Sequence, residues 1–320
     1  MAKIYNIASY LPEKVLDNVE LSKRFNNWNP EKIYQKTGIQ LRHIANDDEY
    51  CSDLAVSAAK SLFKKTSFDK KKIDMLFLIS QSQDQCIPST SFTIHKELDL
   101  SENCGAFDIN QGCTGYIYGL SLSRALISSG EANNILMITA DTYSKFIDPK
   151  DSSLATLFGD GATATLIVSE DNFINESIGR SYFGTDSSRK DHMNCNYLGL
   201  KVPPGEQKPL LMDGPGILNF TLDKLPKALS DYFFKSNSKL EDYDYVVFHQ
   251  ANKFILEKLY KKIGAENKGL ISLANTSNTV SSSIPIVLEE ILQKQTKEKR
   301  NILLAGFGVG LSWGFTNIVL

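Results

Sequence analysis

The sequence predicts an α/β protein in which helices cover the sheets and two similar halves pack together. Three observations carry that prediction. Short apolar runs recur at strand length, helical patterns lie between them, and the same order of elements occurs twice along the chain.

The chain has 320 residues, and a hydrophobic content of 42% supplies ample core. Residues 4–8 (IYNIA), 75–80 (MLFLIS), 135–140 (ILMITA), 162–168 (ATATLIV), 245–250 (YVVFHQ) and 302–308 (ILLAGFG) read as buried strands. A further strand, GAFDIN at 105–110, turns into a helix at Cys113. Residues 52–65 put Leu54, Ala55, Ala58 and Leu62 on one helical face, with Ser52 placed to cap it. The repeat shows in KKIDMLFLISQSQ (71–83) and LEDYDYVVFHQAN (240–252): an acidic approach, an apolar strand, then polar residues at its end. A loop with Cys113, a helix and EANNILMITAD follow the first, while NTSNTVSSSIP, a helix and KRNILLAGFGVG follow the second. A half of residues 1–170 and a half of 171–320 are therefore expected to form one compact body, with corresponding loops meeting across a pseudo-twofold axis.

A net charge of −2 offers no basic field for nucleic acid or an anionic membrane. No apolar run reaches the roughly 18 residues that span a bilayer, and the N-terminus lacks a signal peptide's apolar core, so a cytoplasmic location is expected. Five cysteines at irregular spacing (51, 86, 104, 113, 195) fit neither a disulfide framework nor a metal site. His43, His95 and His192 have no ligand-spaced partners, so no metal or cofactor is expected. Cys51, Cys86, Cys104 and Cys195 read as core fillers, and Trp28 and Trp313 as packing residues.

Cys113 stands at a strand-to-helix turn between Gly112 and Gly115. A helix N-terminus lowers a thiol's pKa, which suits a nucleophile, although a buried inert cysteine is the commoner case. His249 ends the equivalent strand of the second half, where a lone histidine is more often structural. Asn278 precedes a helix with Pro285 in its first turn and alone reads as a cap. The repeat brings these three loops to one cleft. A thiol that accepts an acyl group and two donors that stabilise an oxyanion then form a specific set. The glycine-rich run GFGVGLSWG (306–314) is either a tight turn or a further source of backbone N–H groups, and it lacks dinucleotide-site spacing.

The motifs LPEKVLDNVEL, KTGIQLRHIA, GCTGY, FGDGA, HQAN, NTVSSSIP and GFGVGLSWG together make the chain resemble, nearly end to end, the 3-oxoacyl-(acyl carrier protein) synthase III ketosynthases of the thiolase superfamily. The resemblance implies a five-layered αβαβα thiolase-like fold and a homodimer. It implies that acyl-coenzyme A or acyl carrier protein, together with malonyl-acyl carrier protein, are substrates, with no cofactor. Cys113 would carry the acyl group, and His249 and Asn278 would hold the enolate formed when malonyl loses carbon dioxide. The N–H groups of Cys113 and Val309 would hold the oxyanion, with Phe307 lining the pocket. Ile87 stands where the family's residue closes the partner's acyl tunnel. It is smaller than the phenylalanine that favours very short chains, which implies acyl groups longer than acetyl, or branched.

Other positions depart from the family pattern. Lys32 stands at the adenine-stacking tryptophan, Lys36 beside it at an arginine, Ser152 at a second arginine, and Phe254 at a third, next to Lys253. The coenzyme A contacts are thus reduced to Lys36 and Lys253, and a carrier-protein donor is implied to compete. A same-fold acyltransferase to a hydroxyl or amine, a Cys-His-Asn hydrolase and an inactive partner subunit are the alternatives. The intact Cys113, His249 and Asn278 favour condensation.

Overall fold

The computed structural model describes residues 1–170, 177–197, 202–203, 205–294 and 299–320. Two sheets share one strand order. In the first, Ala2–Tyr10 pairs antiparallel with Gly161–Ser169, which pairs antiparallel with Asn134–Asp141. That strand runs parallel to Met75–Ile79, which is itself parallel to Gly105–Ile109. In the second, Tyr182–Thr185 pairs antiparallel with Ser312–Val319, then antiparallel with Asn301–Gly308, then parallel with Tyr245–Phe248. A parallel bridge from Val246 to Gly269 occupies the place that Gly105–Ile109 holds in the first sheet.

The helices Gly115–Ser129 and Ser283–Gln293 each contact strands of both sheets and fill the space between them. Their packing is apolar on nearly every side, with Tyr116, Ile117, Leu120, Ile284, Val287 and Leu288 fully buried between Ile79, Ile135, Val247 and Leu304. Gly115–Ser129, buried in this way, carries little amphipathic contrast. Cys51–Thr66 and Thr90–Glu97 cover the outer face of the first sheet. Gly214–Ser236 and Lys253–Ile263 cover the second. The result is helix, sheet, helix, sheet, helix: the five layers expected.

Some expectations need correction. The helix over 51–66 starts at Cys51, not after Ser52, because the Asp53 carboxylate accepts the Tyr50 N–H at 2.8 Å. The Ser52 N–H goes instead to Asp84 Oδ1 at 3.1 Å. Ser312–Val319 is a full strand that the glycine-rich reading of 306–314 concealed. Cys51 and Cys104 are buried fillers, whereas Cys86 and Cys195 are exposed. The boundary expected between 170 and 171 abuts residues 171–176, which lie outside the described residues. Among the described residues, no helix is long and apolar enough to cross a membrane and no cluster could hold a metal ion.

Candidate active site

Four chain segments converge on Cys113. The strand Gly105–Ile109 delivers the thiol, which is followed by Thr114 and then the helix from Gly115. On the opposite side the strand Asn301–Gly308 ends against it. A Cβ on Gly308 would lie 3.0 Å from both the Cβ and the Sγ of Cys113, and one on Gly306 would lie 2.7 Å from the Cys113 carbonyl. Only glycine lets this strand come so close. Thr114 Oγ1 and Ser312 Oγ are 2.8 Å apart, and Ser312 Oγ donates to the Val309 carbonyl at 2.9 Å, so Val309 is tied to the nucleophile's loop.

His249 is placed by its backbone, whose N–H donates to the Ala305 carbonyl at 2.8 Å and prolongs the Tyr245–Phe248 strand by one residue. Asn278 is placed by the FGDGA segment: its N–H donates to the Leu157 carbonyl and its carbonyl accepts the Gly159 N–H, each at 3.2 Å. Its side chain is fixed at both ends. Oδ1 accepts the Val280 N–H at 3.0 Å, and Nδ2 donates to the Ala251 carbonyl at 3.3 Å, leaving its second hydrogen free. Val280 has φ of +52°, a costly conformation for a β-branched residue, and it is fully buried beneath this contact.

The three serines after Val280 each hold a different group. Ser281 Oγ donates to Asp141 Oδ2 at 2.5 Å, Ser282 Oγ meets Thr139 Oγ1 at 2.8 Å, and Ser283 Oγ meets His249 Nδ1 at 2.7 Å. Sequence reading missed Ser283 and Asp141, since nothing in a run of serines distinguishes one from the next. Phe307 stands edge-on to the imidazole, with centroids 5.6 Å apart at 82°.

Cys113, His249, Asn278 and Phe307 line one cavity of about 100 Å³, whose outer wall includes Met193, Met212 and Ile217. A second cavity of about 360 Å³, lined by Val309 among others, shares Met193 with the first.

Burial sets the electrostatics. It pushes the Cys113 thiol up to about 12, with the Asp141 charge adding to it. The N–H groups of Cys113 and Val309, directed at the sulfur, pull the other way. The expected lowering by the helix start is therefore overturned: the helix begins two residues on, at Gly115, and desolvation outweighs its field. Burial likewise drives His249 down to about 3, against a hydrogen bond with the Val280 backbone, so the imidazole is neutral at any working pH. Asp141 is raised to about 7 by burial, in spite of the donors from Gln81, Ser281 and Ser80.

The remaining sequence-derived positions lie farther out. Ile87 is 85% exposed and lies outside both cavities of its own chain. Lys36 Nζ and Lys32 Nζ sit 4.9 and 5.3 Å from the Trp28 ring, so Trp28 bears two cations as well as packing. Lys253 Nζ lies 3.6 Å from Glu257 and 6.0 Å from the Tyr34 ring, beside Gly38. Phe254 is half-exposed beneath Lys258, and Ser152 opens a one-turn helix.

Family models described as 3-oxoacyl-[acyl-carrier-protein] synthase III and its C-terminal domain match residues 107–187 and 233–319. A beta-ketoacyl-[acyl-carrier-protein] synthase III of Streptococcus sanguinis is 35% identical over 98% of this chain and 97% of its own. A crystal structure of a 3-oxoacyl-(acyl-carrier-protein) synthase III superposes with a TM-score of 0.94 at 35% identity, over 99% of both chains. The priming beta-ketosynthase of the R1128 polyketide biosynthetic pathway superposes with a TM-score of 0.90 at 26% identity, over 100% of this chain and 96% of that one.

Proposed function

Since the chain belongs to the 3-oxoacyl-[acyl-carrier-protein] synthase III family, we propose that it catalyses decarboxylative condensation of a Cys113-bound acyl group with malonyl-acyl carrier protein. The observation that carries the proposal is the meeting of Cys113, His249 and Asn278 in one cavity, with two backbone N–H groups aimed at the sulfur.

Each residue has a role. The Cys113 sulfur attacks the donor thioester, the carrier's C–S bond breaks, and the proton leaves with the carrier thiol. Burial keeps the thiol protonated, so its proton passes to the departing carrier sulfur as the C–S bond breaks, and His249 is reserved for the second step. In the second step the malonyl C–CO₂ bond breaks and its electrons move to the thioester oxygen. The enolate oxygen is held by His249 and by the free Nδ2 hydrogen of Asn278. Ser283 Oγ accepts the Gln250 N–H at 3.2 Å and turns its own hydrogen to His249 Nδ1, which leaves the ring proton on Nε2 as a donor. The enolate carbon then attacks the acyl carbonyl, whose oxygen passes into the N–H groups of Cys113 and Val309. A new C–C bond replaces the C–S bond and frees Cys113.

The half of 1–170 thus supplies the nucleophile and the half of 171–320 the two side-chain donors. The enzyme works as a homodimer, Ile87 meeting the partner's acyl cavity, where it admits groups longer than acetyl. A monomer in light scattering at micromolar concentration would contradict this arrangement. With Lys32 and Phe254 engaged by Trp28 and Lys258 rather than by an adenine, carrier-protein thioesters compete well with coenzyme A thioesters as donors. The test is incubation with an acyl thioester, with and without malonyl-acyl carrier protein. A 3-oxoacyl product that requires both supports condensation. Free acid would mark a hydrolase, and an ester or amide product the same-fold acyltransferase.

A further inference from the structure

The cavity of about 360 Å³ lined by Val309 is of a size that holds a small organic group. Cys113 itself lines the smaller cavity, but two residues of this one, Gln81 and Val309, pack against the loop that carries it. A Cβ on Gly112 would lie 2.3 Å from Gln81 Oε1 and 3.1 Å from Val309 Cγ1, so both cavity-lining side chains touch the residue before Cys113. An alkyl chain bound there would call for an apolar wall. Met193, Phe146 and Leu210 supply part of one, but Gln81, Gln83 and Asn110 face the same space.

Gln81 is the most constrained of these amides. The buried Tyr143 hydroxyl donates to its Oε1 at 2.6 Å. Its backbone N–H donates to Asp141 Oδ1 at 2.9 Å, which anchors the residue at the end of the Met75–Ile79 strand. The Tyr143 bond fixes which way the carboxamide faces: Oε1 accepts from Tyr143, and Nε2 has no acceptor among the described residues. Burnishing such a donor with hydrocarbon would leave it unpaired, which is costly. Asn110, which is exposed, has no side-chain partner among the described residues, and there Gln83 uses only its Nε2, toward the Ser80 carbonyl at 3.0 Å.

We propose that this cavity receives an acyl group bearing a hydroxyl or carbonyl oxygen close to its thioester, accepted from Gln81 Nε2, instead of a plain alkyl chain. The inference rests on the condensing reading above and names its acyl substrate class. A site built to hydrogen-bond a substrate oxygen discriminates strongly against the analogue that lacks it. Gln81 and Tyr143 are then specificity-determining residues.

The experiment is a competition on the full chain. Equal concentrations of butyryl-, racemic 3-hydroxybutyryl- and 4-hydroxybutyryl-coenzyme A are offered together, so that carrier binding cancels, and the Cys113 adducts are separated by mass. A hydroxylated adduct is expected to exceed the butyryl adduct by at least about tenfold. Gln81→Leu should bring that ratio to about one or reverse it, and Tyr143→Phe, which frees the carboxamide to turn, should lower it partway. Butyryl equal to or above both hydroxyacyl groups in the wild type overturns the inference, as does an unchanged ratio in Gln81→Leu. The wild-type result decides even if a variant fails to fold. Absence of any Cys113 adduct would overturn the condensing reading itself, a result distinct from an adduct without preference.

Discussion

Gly308→Ala tests whether the closeness of two strand ends makes this site. The new Cβ would lie 3.0 Å from Cys113 Cβ and 3.0 Å from its Sγ, where ordinary contacts begin near 3.4 Å. The strand end or the thiol must therefore move by several tenths of an ångström. Gly306, two residues earlier, faces the Cys113 carbonyl just as tightly, so the strand has little freedom to retreat. Overpacking of this kind costs about 1–3 kcal/mol of stability. The catalytic loss should be larger in proportion, because misplacement approaching 1 Å costs about a hundredfold in rate. The assay pairs thermal unfolding with the rate of acyl-Cys113 formation, followed by intact mass. A folded variant with acylation reduced about 10- to 100-fold is expected. Acylation at the wild-type rate would refute the argument that this contact positions the sulfur and its N–H cradle.

Cys113→Ala should abolish acyl labelling while changing stability by no more than about 1–2 kcal/mol, since little volume is lost; labelling that persists in the mutant would remove Cys113 from its role. His249→Ala and Asn278→Ala should still form the acyl adduct but condense about 10²–10³ times more slowly, each having lost one oxyanion donor; wild-type condensation in either would contradict the assignment. Alkylation by iodoacetamide should report the raised Cys113 pKa. With the thiol held up to about 12, its thiolate fraction, and so its labelling rate, should rise about tenfold per pH unit from pH 7 to 9 without levelling off. A plateau below pH 8 would mean that the helix start prevails over burial after all.

Much of this architecture was legible because burial on both faces leaves continuous apolar runs. ILMITA and ATATLIV marked their strands to within a residue or two of Asn134–Asp141 and Gly161–Ser169. Ser312–Val319 was not legible, since Gly314 and Trp313 sit in it as a close-packed pair with Phe183 and Gly184 and read locally as a turn. Cys113, His249 and Asn278 could be found from their positions at element ends. The sign of the Cys113 shift could not, because desolvation is a property of everything packed around the sulfur and not of its neighbours in sequence. Ser283 and Gln81 escaped for a related reason: their importance lies in single bonds to His249 and Tyr143, residues 34 and 62 positions away.

Acyl-Cys113 is expected to be an intermediate consumed by a decarboxylated malonyl unit. Cys113 is first charged with an isotopically labelled acyl group and freed of donor, then mixed with malonyl-acyl carrier protein. A single turnover should transfer the label from Cys113 to a 3-oxoacyl carrier protein, with one carbon dioxide released for each product. Label that stays on Cys113, or that departs as free acid while malonyl-acyl carrier protein remains intact, would contradict the account.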